Sequence, residues 1–185
     1  MKVGILSVGQ ISSELLIRLG QGLAKIFPDT SCWVIDGSFL IPLKSFNKKR
    51  NQYNSRAILN EIMFLGGTRE RYDRVLGVVD TDIYASGLSF VFGEAYSPGK
   101  VALISLWRLK PPPNGESVLA DVFEQRSLKE AVHELGHTLG LEHCHNALCV
   151  MHFSNSLIDT DKKQSLLCGQ CYLQATLAIG GIGRL

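Results

Sequence analysis

The sequence predicts an α/β fold leaning toward α+β: a mostly parallel, twisted sheet with an antiparallel strand at its edge and helices on its faces. Three observations carry this. Short apolar runs with the character of buried strands occur at residues 3–8, 32–36 and 75–79. Helix-period segments alternate with them. Two further runs, 88–95 and 100–108, are joined by Ser97-Pro98-Gly99, a hairpin-type turn.

The elements follow in order. After the first strand, Gln10 to Ile26 has helical spacing, with Leu15, Leu16, Leu19 and Leu23 recurring at three and four, and Pro28-Asp29 stops it. Residues 32–36 form the second strand. Residues 42–54 are polar without a period and read as a loop. Ala57 to Leu65 is a second helix ended by Gly66-Gly67. Residues 75–79 are the third strand, the hairpin follows, and Pro111 to Gly115 is a loop. The order is β-α-β-α-β, then a β-β hairpin, then helices. The 185 residues suit one domain without repeat or linker. Residues 1–140 form a sheet lobe with the site helix, and residues 141–185 a small C-terminal lobe.

Composition narrows the function classes. Forty-five percent of residues are hydrophobic and 19% charged, enough for a real core. The net charge of +2 is low for a nucleic-acid module. The basic cluster Lys44, Lys48, Lys49 and Arg50 lies among Asn and Ser and reads as a solvated loop. No run reaches the roughly 18 apolar residues of a membrane span, and Gln10 interrupts the first run too early for a signal core. A cytoplasmic monomer without nucleic-acid or membrane partners is expected.

Residues 127–143 carry the chemistry. Ser127 and Glu130 have capping-box spacing, which starts a helix near Leu128. Leu128, Val132, Leu135 and Leu139 fall within about 60° of one another on that helix. His133 and His137 are one turn apart on roughly the opposite face, where two imidazoles can hold one zinc ion. A continuous helix would put His143 about 15 Å along the axis from His133. Gly140 is the natural stop, since a left-handed cap costs glycine little, and the returning chain can bring His143 to the metal. Three neutral histidines leave one position for water, whose pKa zinc lowers to about 7. Glu134 can reach that water as general base, so the reaction class is metal-assisted hydrolysis of an amide. The bland alternative is an amphipathic helix with solvated histidines.

Four of the five cysteines, Cys144, Cys149, Cys168 and Cys171, fall in the last 42 residues. Clustered thiols in a reducing compartment suggest metal before disulfide, and Cys168-Gly169-Gln170-Cys171 has knuckle spacing. Disulfides, an iron–sulfur cluster and a redox Cys-x-x-Cys are the rivals. Cys32 reads as core. His145 reads as surface and His152 as cleft-lining at most. Glu142 reads as solvated, Asp159 as a helix cap, and Asp80 and Asp82 as turn formers.

His133-Glu134-x-x-His137-x-x-Gly140-x-x-His143 resembles the metzincin zinc peptidases, which place a methionine in a tight turn beneath the metal. Met151 is the candidate. Cys144, Cys149 and Met151, followed by Cys168-x-x-Cys171, resemble the archaemetzincin pattern. The resemblance implies a metzincin-like zincin with a cleft between two lobes. It also implies two zinc ions per chain, one catalytic and one structural on the four cysteines. An antiparallel edge strand would bind extended peptide, with residues 89–95, and Phe90, Phe92 and Gly93 in particular, as candidates. Some metzincins carry a tyrosine two residues after the methionine; here that position is Phe153. The expected function is zinc-dependent peptide hydrolysis. The alternatives are a non-proteolytic zinc-binding interaction module and a zinc hydrolase of a non-peptide amide.

Overall fold

A computed structural model of the chain describes residues 1–65, 71–111 and 118–182. Its strands are β1 (Lys2–Val8), β2 (Ser31–Phe39), β3 (Phe46–Asn47), β4 (Gln52–Asn54), β5 (Arg74–Val79), β6 (Ile83–Tyr84), β7 (Gly93–Ala95) and β8 (Val101–Ser105). The helices used below are α1 (Ser13–Ile26), α2 (Ser55–Phe64), α3 (Val118–Thr138), α4 (Leu157–Lys162) and α5 (Gly169–Gly180). The main sheet has the order β2-β1-β5-β8-β7; all pairs are parallel except β7 on β8. The α/β reading with an antiparallel edge strand is therefore correct.

The central strands β1, β5 and β8 alternate side chains between two buried faces, as a sheet covered on both sides requires. Ile5, Leu76, Val78, Ala102 and Ile104 point to one face, where α1, α3 and α5 pack through Leu16, Leu23, Leu135 and Ala175. Leu6, Val8, Val75, Val101 and Leu103 point to the other, against Ile58, Leu59 and Ile62 of α2. α2 begins at Ser55 because the Asn54 side chain accepts the amide of Ala57.

Three expectations need correction. Residues 42–54 are not one loop: β3 and β4 pair there, and β4 lies parallel to β6 in a second sheet ordered β3-β4-β6. Strands of two and three residues are too short to show an alternation. The long strand 88–95 shrinks to Gly93–Ala95, because the carbonyls of Leu88 and Ser89 are taken by side chains from β4 and the turn before it. The site helix starts by Val118, so Ser127 is mid-helix and caps nothing; its hydroxyl donates to the Phe123 carbonyl one turn back. Glu130 makes a buried pair with Lys163 instead. The predicted glycine stop at Gly66-Gly67 and residues 112–115 of the predicted loop lie outside the described residues.

Candidate metal centre and active-site cleft

α3 runs beneath the edge of the sheet and ends where the sequence places its glycine. Gly140 has φ of 87°, and the amides of Gly140 and Leu141 donate to the carbonyls of His137 and Gly136. This is a left-handed helix stop. The turn before β8 closes over the same end, with the Gly99 amide donating to the Thr138 carbonyl at 3.0 Å. The chain then doubles back, and the His143 ring lies 4.9 Å from His137 and 5.3 Å from His133, centroid to centroid.

The histidine tautomers follow from their partners. Nδ1 of His133 is 2.8 Å from the Val150 carbonyl, and Nδ1 of His137 is 2.8 Å from the Leu141 carbonyl. A carbonyl oxygen only accepts, so each Nδ1 carries the proton and each Nε2 presents a lone pair. These two Nε2 atoms face one another at 3.1 Å. Lone pairs at that distance repel unless a cation sits against both. Two zinc–nitrogen bonds at a tetrahedral angle would set them about 3.3 Å apart. The donor atoms of His133, His137 and His143 all lie within 4.8 Å of one another, so the set fits a zinc ion. Burial, reinforced by the charge of Lys163, holds His133 well below the usual histidine range, and burial also lowers His137 and His143. Neutral imidazole is the ligand form.

Glu134 is buried, and burial with Glu130 nearby pushes its carboxyl well above the usual range, against the opposing charge of Lys163. Its side chain packs under Gly93 of β7. A Cβ on Gly93 would stand 2.5 Å from Glu134 Cγ and 2.7 Å from the Leu103 carbonyl oxygen. Only glycine lets the edge strand come this close. Gly136 has the same relation to Met151: a Cβ there would meet Met151 Sδ at 2.4 Å. Met151 is fully buried in a turn closed by the His152 amide on the Cys149 carbonyl, and its own carbonyl accepts from the Cys144 amide. Gly136 was legible in the motif only as a non-ligand.

Cys144, Cys149, Cys168 and Cys171 come together on the far side of that turn, with all four sulfurs within 4.8 Å of one another. None is joined to another. The Cys144 and Cys168 sulfurs are 3.8 Å apart, the separation that two zinc–sulfur bonds of about 2.3 Å give at a tetrahedral angle. Cys168 occupies the N-cap position of α5 without a side-chain capping bond; the nearby Cys171 amide lowers its thiol to about 7, while burial raises Cys149 and Cys171. A low thiol at a helix N-terminus is ready to ligate. The donor set fits a closed structural zinc.

A cleft of about 560 Å³ opens over the histidines. Gly93, Phe92 and Phe90 form one wall, and Phe153, Ser154 and Asn155 the other. Phe153 lies 4.9 Å from the His143 ring, so a hydrocarbon face stands where a phenol is absent. His152 does not reach the triad; its Nδ1 bonds the Cys144 carbonyl. Asp80 and Asp82 pair with Lys110 and Arg108. Ser156, not Asp159 alone, caps α4. No described helix is long and apolar enough to cross a membrane.

Lys163 is the site residue that sequence reading missed. Its side chain is wholly buried beside Glu130, its Nζ 3.2 Å from Glu130 Oε1. Lys163 lines the cleft together with Glu130, which stands one helical turn before His133. A lysine in a polar stretch gives no signal of burial.

Comparison with known proteins agrees with this geometry. Peptidase family M54 matches residues 39–176. The archaemetzincin of Methanocaldococcus jannaschii is 44% identical over 171 residues, 92% of this chain and 90% of its own length. The crystal structure of an archaemetzincin from Methanopyrus kandleri superposes with a TM-score of 0.84 at 34% identity, covering 97% of this chain and 96% of that one. Another, from Archaeoglobus fulgidus and complexed with malonate, gives 0.79 at 38% identity, covering 94% of this chain and 99% of that one. The chain belongs to the archaemetzincins of Peptidase family M54, which are zinc metallopeptidases.

Proposed function

We infer that the protein cleaves peptide bonds in the cleft above α3, with His133, His137 and His143 holding a catalytic zinc and Glu134 acting as general base. The observation that carries the reading is the pair of Nε2 lone pairs 3.1 Å apart, with a buried carboxylate from the next residue beside them. A zinc ion on these nitrogens supplies a Lewis acid and water acidified to a pKa of about 7. Glu134 takes the proton of the attacking water and delivers it to the leaving amine. Burial disfavours the charged form of its carboxyl, so the group readily takes up a proton. The carbonyls of Val150 and Leu141 hold the two imidazoles in the ligating tautomer.

Substrate lies extended along β7, whose outer edge has no strand partner among the described residues. Phe90, Phe92 and Gly93 contact it. A second zinc, on Cys144, Cys149, Cys168 and Cys171, gives two per chain. It pins the backbone on both sides of Met151 and Gly140 keeps His143 in reach. In this reading residues 1–140 form the sheet lobe and residues 141–185 the small zinc lobe of one domain, a monomer acting in the cytoplasm.

Incubating the zinc-loaded protein with a mixed peptide library and reading new termini by mass spectrometry tests this. Cleaved products are expected, and they should vanish after mild chelation and return with zinc. An intact library at every zinc concentration would contradict the reading.

A further inference from the structure

Between β6 and β7 the segment from Ala85 to Phe92 has no regular structure, yet its carbonyls are held. Arg50 Nη2 donates to the carbonyls of Leu88 at 2.9 Å and Ser89 at 2.8 Å. Its guanidinium lies 4.2 Å over the Tyr84 ring. Gln52 Nε2 donates to the same Ser89 carbonyl at 3.0 Å and to Asp82 Oδ2 at 3.1 Å. Asp82 receives both arms of Arg108 at 2.6 and 2.7 Å, and the Arg108 guanidinium carbon lies 4.2 Å from the centroid of Phe90. Phe90 in turn meets Phe92 edge to face, centroids 5.3 Å apart.

None of these contacts belongs to the main sheet or to either metal donor set. Together they fix the rings of Phe90 and Phe92 at the wall of the cleft. The wall continues directly into Gly93, the residue that packs on Glu134. Arg108 covers one face of the Phe90 ring, and Phe90 and the mostly buried Phe92 both line the cleft. Leu88, 47% exposed, extends the apolar rim.

The geometry points to a specificity subsite: a Phe90–Phe92 shelf that takes a bulky apolar side chain of the peptide, aromatic above all, with Arg108 and Arg50 as its positioning residues. The assignment rests on the peptidase reading above. It gives Arg50 a role that its place in a basic loop conceals, and it makes the second, three-stranded sheet the support of the shelf. Aromatic rings prefer offset or edge-to-face partners, and a pair already set at 74° offers a third ring both geometries.

The test moves a single Phe stepwise along an alanine-rich peptide and compares each peptide with the all-alanine one. Zinc-loaded full-length protein is assayed for kcat and KM, and the Glu134→Gln variant for affinity by calorimetry. At one position Phe is expected to improve both kcat/KM and affinity by about ten- to a hundredfold, mostly through KM, as burial of an aromatic side chain gives. Phe90→Ala should bring that ratio toward one. Arg108→Gln should do the same, and Arg108→Lys should restore it only in part, because an ammonium cannot form the fork on Asp82. Cleavage without preference for Phe, or a preference that survives Phe90→Ala, overturns the shelf while leaving the peptidase reading intact. Preferential binding that is lost on adding Phe90→Ala, in a protein that cleaves nothing, upholds the shelf and overturns the peptidase reading. Neither cleavage nor preferential binding overturns both.

Discussion

Glu134→Gln is expected to lower kcat by about 10²–10⁴-fold, the usual worth of a positioned general base, with zinc content and melting temperature held. The amide has the shape of the carboxylate, so the contact under Gly93 is kept. Burial already disfavours the charged form of Glu134, and Glu130 adds like charge from one turn away. Replacing it by a neutral group removes a cost of folding rather than a support. The melt should therefore stay level or rise. Steady-state kinetics and thermal melting on the variant check both halves. A fall in melting temperature would show that Glu134 is structural, and unaltered kcat would show that it is not the base.

Cys168→Ser is expected to act through stability instead. A serine hydroxyl stays protonated where the Cys168 thiol, lowered to about 7, ionises readily. A metal held by the four cysteines would lose one ligand and should leave. Loss of a structural metal belongs to the few mechanisms that exceed about 4 kcal/mol, which for a chain of this size means a fall of about 8–16 °C in melting temperature. Activity should fall as well, since Cys144 adjoins His143 and the Cys149–His152 turn carries Met151 under Gly136. Elemental analysis should find one zinc fewer. An unchanged melt with both metals present would mean that the cysteines do not form a structural site.

At both sites the donors are legible in the sequence and their supports are not. Metal donors are fixed in type and spacing by coordination chemistry, so the candidate donors His133, His137 and His143, and the four cysteines that the structure also gathers, could be picked out with no knowledge of the fold. Whereas β2 is a half-exposed edge strand, β1 and β5 were readable for a similar reason: burial on both faces leaves unbroken apolar runs. What supports those parts was not. Gly136 and Gly93 are glycines because Met151 and Glu134 press on them from distant places in the chain, and no local pattern reports such a contact. Lys163 is buried by tertiary pairing with Glu130, against the ordinary habit of lysine. Ser127 and Glu130 have the spacing of a cap but sit inside a longer helix, where packing against α1 outweighs the local signal. Arg50 looks solvated in a polar stretch, yet its donors reach the carbonyls of Leu88 and Ser89, nearly forty residues on.

The most direct test of the central claim is anomalous scattering at the zinc edge from crystals of the zinc-loaded protein. Two peaks are predicted per chain. One should lie among the Nε2 atoms of His133, His137 and the ring of His143, with Glu134 close by but not bound. The other should lie among the four sulfurs, and mild chelation before crystallisation should remove the first and spare the second. A single peak, or a histidine-site peak that Glu134 ligates directly, would contradict the division into an open catalytic metal and a closed structural one.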